Sequence, residues 1–189
     1  MTLGGNFYQE DDEDRIIAVQ IASGQKELFR LLIKRYERAV YGMGMSFFRN
    51  AEDASDFTQE VFLKTFRNLS KFEGRSRFST WLYRIAYNTA VNSAKRRKEY
   101  QSLVEEDILS DSDTPERKIL RGLAREAVSG AVTELPERFR VCVDMFFFYD
   151  RSLKEIESIT GYPVNTIKSH VFRAKKILRE KLASYSALG

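Results

Sequence analysis

Cysteine is almost missing from this chain. Cys142 is the only one, so neither an intramolecular disulfide nor a multi-cysteine zinc site can form. Its neighbours Val141, Val143 and Met145 mark it as a small buried hydrophobe rather than a reactive thiol. Histidine is equally scarce: His170 stands alone, and no second base of that kind is available for a Ser-His-Asp arrangement. There is no Gly-rich phosphate loop and no His-Cys metal pattern, so neither catalysis nor a metal or other cofactor is expected. Proline (3) and glycine (10) are few among 189 residues, while Leu, Ile and Phe recur at helical spacing. That combination predicts an all-α protein. No apolar run is long enough to span a bilayer. The acidic stretch Glu10–Asp14 is the opposite of the basic start of a secretory signal. A cytoplasmic protein without membrane insertion is expected.

What is present is helix-forming and modestly basic. Hydrophobic residues make up 43% of the chain, enough for real cores, and the net charge is +4. That charge permits nucleic-acid binding without demanding it, so its distribution has to decide. The most legible stretch is Ser152–Leu178. Ser152 and Glu155 form a capping box, and Leu153, Ile156 and Ile159 make the apolar stripe of a short helix. Gly161 supplies a left-handed stop, and Pro163 suits the entrance of a second helix. There Ile167, Val171, Ala174 and Leu178 face inward. Asn165, Lys168, Ser169, Phe172, Arg173 and Lys176 face out. Cations that neutralise phosphate or read guanine, short polar groups that position, and a ring for a thymine methyl suit a helix in a DNA major groove. The same pattern also fits an ordinary helical hairpin with a solvated basic face.

Upstream, a helix is expected from about Asp12 to Ser23, with Ile16, Ile17 and Ile21 inside and Gly24 as its end. A second should run from about Gln25 to Phe47 on Leu28, Leu32, Tyr36, Val40 and Met43, with Gly42 and Gly44 allowing close packing. A third, from about Glu52 to Leu69, turns Ala54, Phe57, Val61, Thr65 and Phe66 inward. Asp56, Gln59, Glu60, Leu63 and Arg67 lie on or beside its other face. Leu63 either widens the buried stripe or anchors a protein partner, with Asp56, Gln59 and Glu60 as polar contacts.

The window from Lys71 to Lys98 carries Lys71, Arg75, Arg77, Arg84, Lys95, Arg96, Arg97 and Lys98 against one acid, Glu73. It also holds Phe72, Phe78, Trp81, Tyr83 and Tyr87. Ser79 or Thr80 should cap its helix. Arg84, Asn88 and Lys95 share one face, with Asn92 beside it. Cations interleaved with rings fit single-stranded nucleic acid, whose backbone needs charge and whose bases need stacking partners. The competing account puts Trp81, Leu82, Ile85 and Ala86 in a core and leaves the charges solvated.

Glu99 to Thr114 is polar, acidic and without period, and reads as a flexible linker. It divides residues 1–98 from a second helical domain at 115–189. Thr114 and Pro115 start that domain, whose first helix carries Ile119, Leu120, Leu123, Ala127 and Val128 and closes before Leu135 and Pro136. The next helix is expected to bury Phe139, Val143 and Phe146 or Phe147. The run Met145–Tyr149 either sits mid-core or leaves a ring for a partner.

In this order the segments resemble the extracytoplasmic-function sigma factors, the small two-domain group of the bacterial sigma-seventy family. Glu52–Phe62 looks like that family's helix for docking on RNA polymerase. Phe72 and Gly74 followed by Phe78–Asn88 look like its promoter-melting segment. Leu135 and Pro136 ahead of Pro163–Ala174 look like its reader of the upstream promoter element. The resemblance implies an alternative sigma factor, not itself an enzyme, that binds core RNA polymerase and directs it to promoters. It implies that Asp56, Gln59, Glu60 and Leu63 grip the clamp helices of the largest polymerase subunit. Phe72, Tyr83, Ile85 and Asn88 would surround a base flipped from the non-template strand of the minus-ten element, with Arg75, Arg84 and Lys95 serving the same strand. Lys168, Ser169, Phe172 and Arg173 would read the minus-thirty-five duplex, joined by Asn165 and Thr166 at the start of that helix. The linker would thread a polymerase channel, and an anti-sigma protein would hold the chain inactive. His170 stands where many members carry Arg, and reads as a partly exposed neutral ring. The rival reading is a helix-turn-helix regulator that acts on duplex DNA without being a sigma factor.

Overall fold

The structure, a computed structural model, describes residues 5–101, 128 and 130–186, and every regular element among them is helical. The chain divides into two compact units, the first mainly residues 1–94 and the second mainly residues 95–189. The expected linker beyond residue 101 and the positions Thr114, Pro115, Ile119, Leu120, Leu123 and Ala127 lie outside the described residues.

The first unit is built on α1 (Gly5–Ala22), α2 (Phe29–Phe48), α3 (Ala51–Asn68) and α4 (Phe78–Gln101), with short 3-10 turns at Lys26–Leu28 and Leu69–Lys71. Helix α1 starts earlier than the expected Asp12, and its inward register differs. Asp14 is fully buried, where it accepts hydrogen bonds from Arg35 Nη1 and Tyr36 Oη, and Arg35 also reaches Glu13 at 3.2 Å. Asp14, Ala18 and Ile21 therefore define the packed face. Ile16, about 200° round the helix from Asp14, is 59% exposed rather than inside. Ionic pinning of one buried carboxylate, not apolar periodicity, sets how this helix sits. Gly24 follows at φ +116, as a chain reversal after the helix requires.

Helices α2 and α3 form a tight hairpin. Arg49 closes α2 in the left-handed conformation, and Asn50 opens α3 by accepting from Glu52 N–H at 2.8 Å and Asp53 N–H at 3.1 Å. The two helices touch at Gly44. A β-carbon there would lie 2.8 Å from Phe57 Cδ1 and 3.0 Å from Ala54 Cα, so any larger residue overpacks the crossing. Val40 and Met43 of α2 and Ala54, Phe57, Val61 and Thr65 of α3 are buried.

Helix α4 begins before the expected caps. Trp81 N–H already bonds to Arg77 O at 3.1 Å, so Ser79 and Thr80 fall in the first turn, where both are buried. Leu82, Tyr83, Ala86 and Ala90 continue the inward face. The helix runs on to Gln101, three residues into the stretch read as linker.

In the second unit, residues 130–133 are helical and lead into α5 (Glu137–Val143), α6 (Leu153–Thr160) and α7 (Val164–Ser186). Leu135, Phe139, Val143 and Ala174 form a core cluster flanked by Ile177 and Leu178. Arg140 is buried too, and donates from Nη1 to Thr133 O at 2.8 Å and Leu135 O at 3.0 Å, satisfying carbonyls where the preceding turn ends. Val128 is 39% exposed. The Phe run divides. Asp144–Phe148 widens into a π turn, with Tyr149 N–H bonded to Asp144 O at 3.0 Å. An i→i+5 turn advances each residue by less than an α-helix does. Met145 is thereby buried and Phe146 half-buried, while Phe147 and Phe148 are exposed at 49% and 63%.

The turn between α6 and α7 follows the sequence closely. Ser152 N–H donates to Glu155 Oε2 at 2.9 Å, and Ser152 Oγ accepts from Glu155 N–H at 3.3 Å, closing the capping box. Gly161 sits at φ +76 with its N–H on Glu157 O at 2.8 Å. Glu157 Oε1 then accepts from Val164 N–H at 3.0 Å, so the first helix caps the second across the turn.

Candidate functional site

Three surfaces emerge from these elements. The first lies on α2 and α3. Asp56, Gln59 and Leu63 are exposed, Leu63 by 56%, which excludes its belonging to a widened buried stripe. Glu60 is half-buried and pairs with Lys64 at 2.6 Å. Gln59 and Leu63 border an open groove of about 680 Å3 whose apolar lining comes from Phe29, Ile33, Phe62, Leu63 and Phe66. Phe66, expected inward, is 37% exposed and tilts over Phe29 at 5.0 Å. The groove was hidden because Phe29 and Ile33 look like core positions until α3 is laid beside them. Their i, i+4 spacing, matched by Phe62 and Phe66, is the signal a reader could have used.

The second surface is the loop before α4 and the outer face of that helix. Arg84, Asn88, Asn92 and Lys95 are all exposed along one face, at the i, i+4, i+8, i+11 spacing of a continuous stripe. Arg75 is exposed and pairs with Glu73 at 2.5 Å. Phe72 is half-buried, tilted against Trp81 at 5.3 Å and edge-on to Phe78 at 5.5 Å. Ile85 is half-buried. Tyr83 does not join them. It is 4% exposed and meets Tyr36 edge-on at 6.2 Å, because it falls on the inward stripe with Ser79, Leu82 and Ala86. A base cannot stack on a ring already enclosed, so Tyr83 supports this surface from beneath.

The third surface is the outer face of α7. Asn165, Lys168, Phe172 and Arg173 are exposed, Phe172 by 72%, and Thr166 and Ser169 are half-buried at its margin. Ile167, Val171 and Ala174 are buried as expected, and Leu178 is partly so. His170 turns aside from the outer face. Its ring meets Phe139 at 5.1 Å and Tyr162 edge-on at 5.4 Å, and Nδ1 lies 3.7 Å from Cys142 Sγ. Burial, then the nearby charges of Arg138 and Arg173, hold its pKa below the ordinary value, so the imidazole is neutral at neutral pH. Burial pushes the Cys142 thiol up to about 11, which leaves it unreactive.

The family model described as Sigma-70 region 2 matches residues 32–100, and that for Sigma-70, region 4 matches residues 125–178. The chain is 35% identical over 185 residues to an RNA polymerase sigma-H factor of Pseudomonas aeruginosa, covering 92% of this chain and 95% of that protein. It is 32% identical over 180 residues to an ECF RNA polymerase sigma-E factor of Haemophilus influenzae, covering 89% and 95%. The chain belongs to the sigma-70 family, in its extracytoplasmic-function (ECF) group. Two solved structures share the fold of this ECF factor, each at 24% identity. CnrH, solved in complex with the cytosolic domain of CnrY, gives a TM-score of 0.67 over 90% of this chain and 97% of that one. The sigma factor RpoE of Bartonella quintana, solved with the anti-sigma factor NepR, gives 0.70 over 82% and 96%. As an ECF sigma factor, the protein is an alternative initiation factor that directs promoter-specific transcription by RNA polymerase. The match to region 2 sets aside the reading of a regulator that acts on duplex DNA alone. Among the described residues of this sigma factor, no helix is long and apolar enough to cross a membrane.

Proposed function

We propose a division of labour among the three surfaces. Residues 1–98, with α4 running on to Gln101, form the domain that docks on core polymerase and melts the minus-ten element. Residues 99–114 connect it to residues 115–189, which read the minus-thirty-five duplex. Asp56, Gln59, Glu60 and Leu63 grip the polymerase, with the apolar groove beside Leu63 enlarging the contact. Burial of that ring-lined groove drives association, and the polar residues set its register.

At the minus-ten element, Arg84, Asn88 and Lys95 follow the separated strand along α4, and Arg75 adds charge from the loop. Phe72 and Ile85, each half-buried, form the apolar edge against which a flipped base rests. Unstacking a base costs a few kcal/mol, and a shaped apolar and hydrogen-bonding site is what offsets that cost. Asn165, Thr166, Lys168, Ser169, Phe172 and Arg173 form the duplex-reading set, with Phe172 available to a thymine methyl. The observation that carries this reading is the unbroken exposed stripe from Arg84 to Lys95, on the helix whose start holds the Phe72–Trp81 ring pair, a surface that a duplex reader does not need. The protein acts in the cytoplasm, performs no catalysis of its own, and is held in check by an anti-sigma protein. The solved complex of RpoE with the anti-sigma factor NepR supports that last point by analogy of fold.

The test is transcription in vitro. Purified protein added to core polymerase should initiate from promoter fragments selected with the reconstituted holoenzyme, and Leu63→Ala should lower initiation by weakening core binding. Initiation equal to that of core alone would refute the reading.

A further inference from the structure

The loop before α4 contains Gly74 at φ +69, and a side chain from a different element lies against it. A β-carbon at Gly74 would stand 3.0 Å from Arg15 Nε, 3.3 Å from its Cζ and 3.5 Å from its Nη2. The Arg15 guanidinium is therefore laid on the backbone of the loop that leads from Phe72 to α4. Arg15 belongs to α1, which runs beside the Leu69–Lys71 turn. Its neighbour Asp14 is locked to Arg35 and Tyr36 in the interior, so the direction in which Arg15 leaves the helix is fixed by the fold. Arg15 is exposed, and among the described residues no carboxylate pairs with it, in contrast to Arg75 in the same loop, which Glu73 holds. Nothing in the match to region 2, which begins at residue 32, assigns Arg15 a role.

A guanidinium resting against a glycine carries more N–H donors than that contact uses, and its fork suits a phosphate. We infer that Arg15 is a DNA-binding residue of the minus-ten surface, contacting a phosphate of the separated strand from its seat on Gly74. This rests on the proposal that Phe72–Lys95 forms that surface. Gly74 then serves twice: for its left-handed backbone, and because a β-carbon would stand 3.0 Å from Arg15 Nε and shift the guanidinium by a few tenths of an ångström.

The experiment uses holoenzyme reconstituted with wild-type, Arg15→Gln, Arg15→Lys and Asn88→Ala chains. Binding is measured on a forked minus-ten fragment, with the non-template strand single, across a range of salt. Each phosphate neutralised on a single strand contributes about 0.7 to the slope of log affinity against log salt. Arg15→Gln should bind about three- to tenfold more weakly at low salt and flatten the slope by about 0.7. Arg15→Lys should restore the slope. An unchanged slope for Arg15→Gln overturns the inference, whether or not affinity falls, since a residue that only braces the loop loses affinity without removing an ionic contact. If Asn88→Ala loses binding while Arg15→Gln matches wild type, the minus-ten assignment stands and Arg15 alone is wrong. If neither variant changes binding, that assignment fails and the inference falls with it.

Discussion

Helices α4 and α7 both present a polar face that we assign to DNA, yet they use their aromatic residues in opposite ways. On α7 the ring faces out: Phe172 is 72% exposed beside Lys168 and Arg173. On α4 the rings turn in or pack on each other. Tyr83 is buried, Trp81 packs against Phe72, and the outer face belongs to Arg84, Asn88, Asn92 and Lys95. The contrast fits the targets proposed for the two faces. A duplex exposes base edges and methyl groups, which an exposed ring can touch while the helix stays rigid. A strand being opened must be held by its backbone while one base finds a site, and that site is only as well shaped as the layer beneath it.

The contrast breaks most visibly at the rings themselves. Tyr83→Ala should destabilise the first unit by about 3–5 kcal/mol, as loss of an enclosed ring does, in urea unfolding followed by circular dichroism. Phe172→Ala should stay within about 0.5 kcal/mol of wild type in the same measurement, and lose affinity only for fragments with thymine at the contacted position. Similar stability losses in both would erase the distinction. Next in size, Arg173→Ala should weaken minus-thirty-five binding by about 1–3 kcal/mol at one base position if it reads a base, and evenly across sequences if it holds phosphate. Titration of a panel of singly substituted duplexes separates the two. Asn88→Ala should lower open-complex formation by about tenfold, roughly 1.4 kcal/mol, and leave closed binding nearly intact; equal losses at both stages would remove Asn88 from the melting surface.

The smallest effect is set by pH. The folded-state pKa of His170 is lowered from 6.5, so between that depressed value and 6.5 the unfolded chain binds more protons than the folded one. The stability tied to the neutral ring is complete above the unfolded value and is lost as pH falls through the window below it. As the only histidine, His170 makes the test clean: the unfolding midpoint should fall on acidification below about pH 6.5, and His170→Phe should flatten that slope. The same slope in His170→Phe would assign the titration to carboxylates.

Legibility in the sequence tracked how local the physics was. The α6–α7 turn could be read almost atom by atom, because the capping box, Gly161 and two helical stripes all act within a few residues. The register of α1 could not, since Asp14 sits inward only through Arg35 and Tyr36, and an acid at a core position runs against every apolar pattern. Tyr83 was placed at the base pocket by resemblance alone, and its burial against Tyr36 depends on α2, outside its own stretch of sequence. The Phe146–Phe148 rings were left undecided because a π turn breaks the 3.6-residue count on which the reading depended. The groove beside Leu63 needed two helices laid side by side, which no single window displays.

The hydrogen bond from Val164 N–H to Glu157 has a practical corollary. It fixes the two helices of the reader through groups that none of the outward side chains shares. Asn165, Lys168, Ser169, Phe172 and Arg173 can thus be exchanged together as a cassette, while Ile167, Val171, Ala174 and the tethered turn are kept. Under the proposed assignment, retargeting this sigma factor to a synthetic promoter takes five substitutions on an unaltered chassis.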